Sequence, residues 1–179
     1  ILNSVSLEVA LPGSTATYMR GTYKHQRFSK LNDIFTLALT GELGVAKAYG
    51  GKEVPFFKNF YAGGIGSVRG FESNSLGPRD PLTGDFLGGT RRISGSSEVL
   101  FGLPGAKQDR SFRFSAFVDA GGVYGEGQRL SSSTLRASTG LSASWLSPLG
   151  PLIFSFAKPL NKKPDDKTQA FQFQLGSTF

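Results

Sequence analysis

Apolar and polar residues alternate with a period of two in run after run of this 179-residue chain. That period marks a β-strand whose two faces meet different surroundings, and it restricts the chain to sheet architectures. Leu2 to Leu11 sets Val5, Leu7, Val9 and Leu11 against Ser4, Ser6, Glu8 and Ala10, and Pro12-Gly13-Ser14 follows as a tight turn. Thr15 to Phe28 is rich in strand formers such as Tyr18, Thr22, Tyr23 and Phe28 but alternates less cleanly. After a polar connection at Ser29 to Asp33, Ile34 to Val45 places Phe35, Leu37, Leu39, Leu43 and Val45 opposite Thr36, Ala38, Thr40, Glu42 and Gly44.

Strand character resumes near Arg92, with Ile93, Val99, Phe101 and Leu103 on one face and Ser94, Ser96 and Glu98 on the other, and stops at Leu103-Pro104-Gly105. Ser111 to Tyr124 divides Phe112, Phe114, Ala116, Val118 and Ala120 from Arg113, Ser115, Phe117 and Asp119. Beyond a loop at Glu126 to Ser133, Leu135 to Trp145 alternates again, with Trp145 at the strand end. A turn at Ser147 to Pro151 leads to a strand opened by Leu152, Phe154 and Phe156 and finished by Pro159. The charged loop Asn161 to Lys167 precedes a strand from Thr168 to Phe179, with Phe171, Phe173, Leu175 and Phe179 opposite Gln172, Gln174, Gly176 and Thr178. The pattern predicts an all-β antiparallel meander of about eight strands, each about the length a tilted membrane-spanning strand needs.

Alternation alone does not separate a soluble sandwich, which hides its apolar face against a second sheet, from a membrane barrel, which turns that face to lipid. Composition leans toward the barrel. Mean hydropathy is −0.14 and no run reaches the roughly 18 apolar residues of a membrane helix, which excludes only helical membrane proteins. Sixteen Phe and 24 Gly beside one Trp and no Cys fit a barrel better than a helical enzyme. The missing Cys excludes disulfides and thiolate metal sites. A formal charge of +7 has no basic run or nucleic-acid motif behind it, so it points to anionic lipid headgroups rather than to nucleic acid. No secretory leader is recognisable at Ile1, which reads as a mature form or a fragment.

Between Lys47 and Arg91 the alternation lapses. A connection this long is either functional or disordered, and Phe56, Phe57, Phe60, Tyr61, Phe71 and Phe86 are too aromatic for disorder. The segment reads as a loop folded back and packed. Arg69 stands at its centre, between Val68 and Gly70-Phe71, and buried there it needs a carboxylate. Strand parity turns Glu98 and Asp119 toward the polar face of neighbouring strands, where one guanidinium can bridge them. Two alternatives stand beside this: the acids merely hydrate a wet interior, or Arg113 takes Asp119. Gly63-Gly64-Ile65-Gly66 lacks the Lys-Ser/Thr and the following helix of a phosphate loop. Lone His25, unpaired Glu8 and Glu42, and serines outside any nucleophile motif give no enzyme and no cofactor.

The string Phe60-Tyr61-Ala62-Gly63-Gly64 through Ser67-Val68-Arg69-Gly70-Phe71, followed by Leu76-Gly77-Pro78-Arg79-Asp80, resembles the sixth extracellular loop of the BamA family of outer-membrane β-barrel assembly factors, the bacterial surface antigen family. Trp145 to Leu152 and Phe171 to Phe179 are similar to it as well. The resemblance implies a sixteen-stranded barrel in the bacterial outer membrane, of which this chain is the C-terminal half, or else a small closed barrel or a homodimer of the half. It implies that the loop arginine meets Glu98 and Asp119, and that the strand ending in Phe179 carries an assembly signal. It implies unfolded outer-membrane proteins as substrates, accessory lipoproteins bound through periplasmic domains absent here, and membrane lipid around the barrel. The alternatives are a related two-partner or translocation-assembly secretion pore and a passive structural barrel.

Overall fold

The computed structural model describes residues 1–11, 17–102, 111–148 and 150–176. Its strands are β1 (Leu2–Val9), β2 (Tyr18–Lys30), β3 (Phe35–Ala48), β4 (Arg91–Gly102), β5 (Phe112–Tyr124), β6 (Arg136–Ser147), β7 (Gly150–Pro159) and β8 (Phe171–Leu175). They form one sheet in the order β1 to β8, every neighbouring pair antiparallel. Among the described residues no ladder joins β1 to β8, so the sheet is open and the small closed barrel is not formed. The one helical element described is a 3-10 turn, Phe56–Lys58, inside the long loop.

The two faces settle what alternation left open. Val5, Leu7, Leu39, Leu43, Val45, Ile93, Val118, Leu141, Phe156, Phe171, Phe173 and Leu175 are exposed, while Ser94, Ser115, Asp119, Ser138, Ser142, Ser155 and Gln172 are buried. No second sheet covers the apolar face among the described residues. The largest apolar side chains lie outside and the polar ones inside, the distribution a strand acquires when its outer solvent is hydrocarbon. Facing aromatics extend this outer surface: Phe112 stacks on Trp145 with ring centroids 5.3 Å apart, and Phe156 meets Phe171 at 4.8 Å.

Strand boundaries depart from the sequence pattern in two informative places. β2 runs on through Ser29 and Lys30, which pair with Leu37 and Thr36, because the turn needs only residues 31–34. Asn32 tightens that turn by accepting hydrogen bonds from the backbone N–H groups of Ile34 and Phe35 at 2.9 and 2.7 Å. The expected strand from Thr168 shortens to Phe171–Leu175, since Thr168 bridges to Phe71 of the long loop instead of extending the ladder with β7. The turn at Pro12-Gly13-Ser14, the connection Leu103-Pro104-Gly105 to Arg110, and Phe179 lie outside the described residues.

The long loop, residues 49–90, fills the polar concave side. The buried apolar cluster is Ala62, Val68, Phe71 and Leu76 from the loop with Val123 from β5, so the core of this half-barrel is the loop itself. Phe60 is 2% exposed against β3, and the aromatics divide: Phe60 and Phe71 are buried, whereas Phe56 and Phe57 stand out. Gly44 makes room for Phe60, since a Cβ there would lie 2.5 Å from its ring. Gly44→Ala is therefore expected to displace Phe60 and destabilise the loop-docked state by about 1–3 kcal/mol, the usual cost of overpacking. A lowered thermal midpoint with unchanged β content by circular dichroism would be the signature, and an unshifted midpoint would contradict it.

Candidate functional site

The loop reaches the lumen through a compact turn. Gly64 N–H donates to the Val68 carbonyl at 3.1 Å, and Ser67 Oγ accepts from Gly63 N–H at 2.7 Å. Gly70 then adopts φ +87°, a left-handed conformation that suits glycine. A Cβ on Gly70 would sit 3.1 Å from that of Ala157 on β7, so glycine also permits close approach to the wall. The reversal sends Val68 and Phe71 into the apolar cluster and Arg69 toward β4 and β5.

Arg69 is 7% exposed and every face of its guanidinium is occupied. Nε donates to Asp119 Oδ2 at 2.7 Å and Nη2 to Asp119 Oδ1 at 2.8 Å, a two-pronged pairing. Nη1 donates to Glu98 Oε1 at 2.9 Å, and Nη2 also reaches Ser96 Oγ at 3.1 Å. The Arg69 backbone N–H adds a bond to Asp119 Oδ2 at 3.1 Å. Ser96 in turn donates to Asp119 at 2.6 Å, and Ser115 donates to Glu98 at 2.6 Å. The plane rests on Phe117, with Cζ 3.3 Å from the ring centroid. Asp119 itself is fully buried. One charge thus faces two carboxylates, and the two hydroxyls orient both acids.

The register of β4 and β5 sets the wall of this nest. Ser96 lies opposite Asp119 and Glu98 opposite Phe117, so all four share the inner face. Arg113 does not compete for Asp119. It pairs near the other end of β5, opposite Gly102, and six residue steps along the strand set it about 20 Å from Asp119. Ser96 and Phe117 were legible only as inward-facing residues two positions before each acid.

A third wall comes from β8. Gln172, 4% exposed, donates from Nε2 to the Phe71 carbonyl at 2.7 Å and accepts from Gly70 N–H at 3.3 Å. Gln169 N–H donates to the Gly70 carbonyl at 2.9 Å, and Glu72 N–H to the Lys167 carbonyl at 3.0 Å. The turn that presents Arg69 is therefore bonded along its backbone to the chain entering β8. Sequence parity put Gln172 inside but gave no sign of its partner. Phe171, Phe173 and Leu175 point outward from the same strand.

Elsewhere in the chain, side chains form pairs that the sequence did not reveal. Glu8 is partnered: Tyr18 Oη donates to it at 2.6 Å and Lys58 forms an ion pair with it, which raises the Lys58 ammonium above its ordinary value. Glu42 meets Arg92 at 3.5 Å. Both departures have one cause, because the folded-back loop and distant strand residues supply partners far away in sequence. Arg136 on β6 grips Asp166 of the loop after β7. Burial by itself raises the Asp166 carboxyl, but hydrogen bonds from Arg136 and from Lys163 N–H outweigh it and hold the carboxyl below its ordinary value. His25 has Nδ1 2.7 Å from Asn3 Oδ1 at an exposed position, and no group of potential metal ligands occurs among the described residues.

An open antiparallel meander with an apolar outer face and a charge-locked loop on its inner face is part of a transmembrane barrel. The family model described as the Omp85 superfamily domain matches residues 1–179, and the chain belongs to the Omp85 superfamily. Over 207 aligned residues it is 46% identical to outer membrane protein assembly factor BamA of Neisseria meningitidis, an alignment covering 99% of this chain and 26% of that protein. A SAM50-like protein of Schizosaccharomyces pombe is 28% identical over 179 residues, covering 94% of this chain and 37% of the relative. The crystal structure of Haemophilus ducreyi BamA lacking POTRA domains 1–3 superposes with a TM-score of 0.84 at 33% identity, covering 99% of this chain and 38% of that one. The chain thus spans well under half the length of these relatives, and the meander matches one part of their barrel.

Lysine cannot reproduce the fork, so Arg69→Lys is expected to loosen residues 67–72 by about 2 kcal/mol, the worth of a charged hydrogen bond. Asp119→Ala should cost more than Glu98→Ala, because Asp119 takes both prongs and is the more deeply buried. Hydrogen exchange of the loop checks both, and equal effects of the two alanine variants would contradict the ranking. For Asp166 the folded-state carboxyl is depressed, so its contribution is complete above the ordinary carboxylate value near about 4 and is lost as pH falls through the lower folded value. A spin label on Lys162→Cys should be equally immobile at pH 8 and pH 6 and gain mobility only under strongly acid conditions, with Asp166→Asn mobile throughout.

Proposed function

We propose that this chain is the loop-bearing part of a bacterial outer-membrane barrel whose parent protein folds and inserts other β-barrel proteins into that membrane. The observation that carries the reading is the Arg69 nest: a fully partnered guanidinium on a long loop, received by Asp119 and Glu98 on adjacent strands, in a chain 46% identical to a BamA over nearly its whole length. The loop acts as an internal brace. It supports the inner wall formed by β4, β5 and β8, and so holds a barrel whose outer surface adapts to lipid. Unfolded outer-membrane proteins are the substrates, and the accessory members of an assembly complex are partners of the parent. The role is non-catalytic in the chemical sense: strands are templated by backbone pairing at an exposed sheet edge, without a nucleophile, metal or cofactor.

The test is replacement of Arg69 by Ala in the full-length parent, which leaves the buried Asp119 carboxylate and the half-buried Glu98 without their cation, a loss of about 3–5 kcal/mol for a broken buried pair. Incorporation of a reporter outer-membrane porin into liposomes by the purified parent is expected to slow at least several-fold, with the parent still folded by heat-modifiable gel mobility. Unchanged incorporation despite an undocked loop would leave a passive structural barrel as the better reading.

A further inference from the structure

We infer that Gln172 couples the loop lock to β8, so that Arg69 pairing and the position of this strand are two readouts of one state. The inference rests on the assembly reading for its biological use but stands on geometry alone. Chain 167–175 is shared between two partners. Ala170 accepts from Ala157 N–H of β7 at 2.8 Å, and from Phe171 onward the strand is laddered to β7. Lys167 and Gln169, of the opposite parity, turn their backbone groups to the loop, and Thr168 bridges to Phe71. Gln172 then reaches in from the laddered portion, accepting from Gly70 N–H and donating to the Phe71 carbonyl.

The chemistry makes the coupling obligatory. Phe71 is fully buried and Gln172 nearly so, so moving β8 outward strands a backbone N–H, a carbonyl and a side-chain amide away from water, and buried polar groups are not left unpaired without cost. The same residues join the two sites from the other direction. Arg69 and Gly70 are neighbours in the chain, and Gly70, at φ +87°, sits against Ala157 and Pro159 of β7. Releasing Arg69 from Asp119 frees the turn that Gln172 holds. Because β8 has no second ladder partner among the described residues, its ladder with β7 and its contacts with the loop are what position it. Coupling of this kind is reciprocal: whatever fraction of β8 stability the loop supplies, β8 supplies to the loop. In an assembly barrel this makes the loop responsive to any strand that pairs with β8. Gln172 is a positioning residue and touches no substrate.

The experiment is hydrogen exchange on the full-length parent, comparing loop residues 67–72, β8 residues 171–175 and the distant β2–β3 hairpin. Gln172→Leu is expected to speed loop exchange at least about tenfold, since both buried hydrogen bonds to the Gly70-Phe71 turn are lost, and Arg69→Lys to speed β8 exchange about tenfold, with the hairpin unchanged in both. If Gln172→Leu does not fold, Gln172→Glu retains the acceptor for Gly70 N–H, loses the donor to Phe71, and is read in the same way. Loop exchange unaltered by either Gln172 variant, or β8 exchange unaltered by Arg69→Lys, overturns the coupling. Porin incorporation is measured separately on the wild type. Coupling without incorporation leaves this inference intact and removes the assembly reading, and incorporation without coupling does the reverse.

Discussion

The fold depends on one electrostatic requirement: the carboxylate of Asp119, without solvent exposure, has to be met by a cation that arrives from elsewhere. An isolated buried carboxylate is among the most expensive groups a protein can hold. The bonds from Nε, Nη2 and the backbone N–H of Arg69, with a further one from Ser96, satisfy it on every available side. The requirement extends to register, because a slip of one residue between β4 and β5 would carry Asp119 to the outer face. The docked loop and the strand pairing therefore specify one another.

The inner wall is shaped to receive the loop. Gly44 leaves space for Phe60, and the wall around the nest is built from small polar side chains, Ser94, Ser115, Ser138, Ser142 and Ser155. Small residues keep the lumen wide, and the polar ones suit a surface that is wet wherever the loop does not lie on it. The loop's fastenings to the wall include Lys58 to Glu8, Arg69 to the acid pair, Gly70 and Phe71 to Gln172, and Ser75 and Glu72 to Lys167. Outside, the apolar residues of every strand need no partner from this chain, since lipid is their solvent. Core and coat are thus exchanged relative to a soluble sheet: the packed apolar cluster belongs to a loop, and the sheet supplies its polar container.

Much of this was legible in the residues. Period two, with strand-forming residues standing in for it in β2, predicted β1 to β7 to within a few positions of the ends seen among the described residues, because burial of one face imposes the same alternation wherever the strand is placed. Arg69, Glu98 and Asp119 stood out because a lone charge inside an aromatic, glycine-rich loop and two acids on the polar face of strands each ask for a partner. Other features were hidden for a single reason. Gln172, the Glu8–Lys58 contact and the Arg136–Asp166 pair join segments 30 to 102 residues apart, and an inward-facing Gln or a scattered Lys has no local pattern that announces its mate. The strand expected from Thr168 was cut short by the same long-range contact, with the loop taking backbone groups that alternation had assigned to the sheet.

By itself the sequence determined the antiparallel meander, the strand parity that separates lipid face from lumen face, and the placement of a charged loop between β3 and β4. These follow from covalent order and side-chain period, which are local. Only the tertiary structure decided that, among the described residues, the apolar face stays uncovered and the sheet remains open, and that Gly70-Phe71 is clasped by Gln172. The clasp depends on where the loop settles, and its position is chosen by packing volume and by the pairing of buried charges and backbone groups across the whole chain.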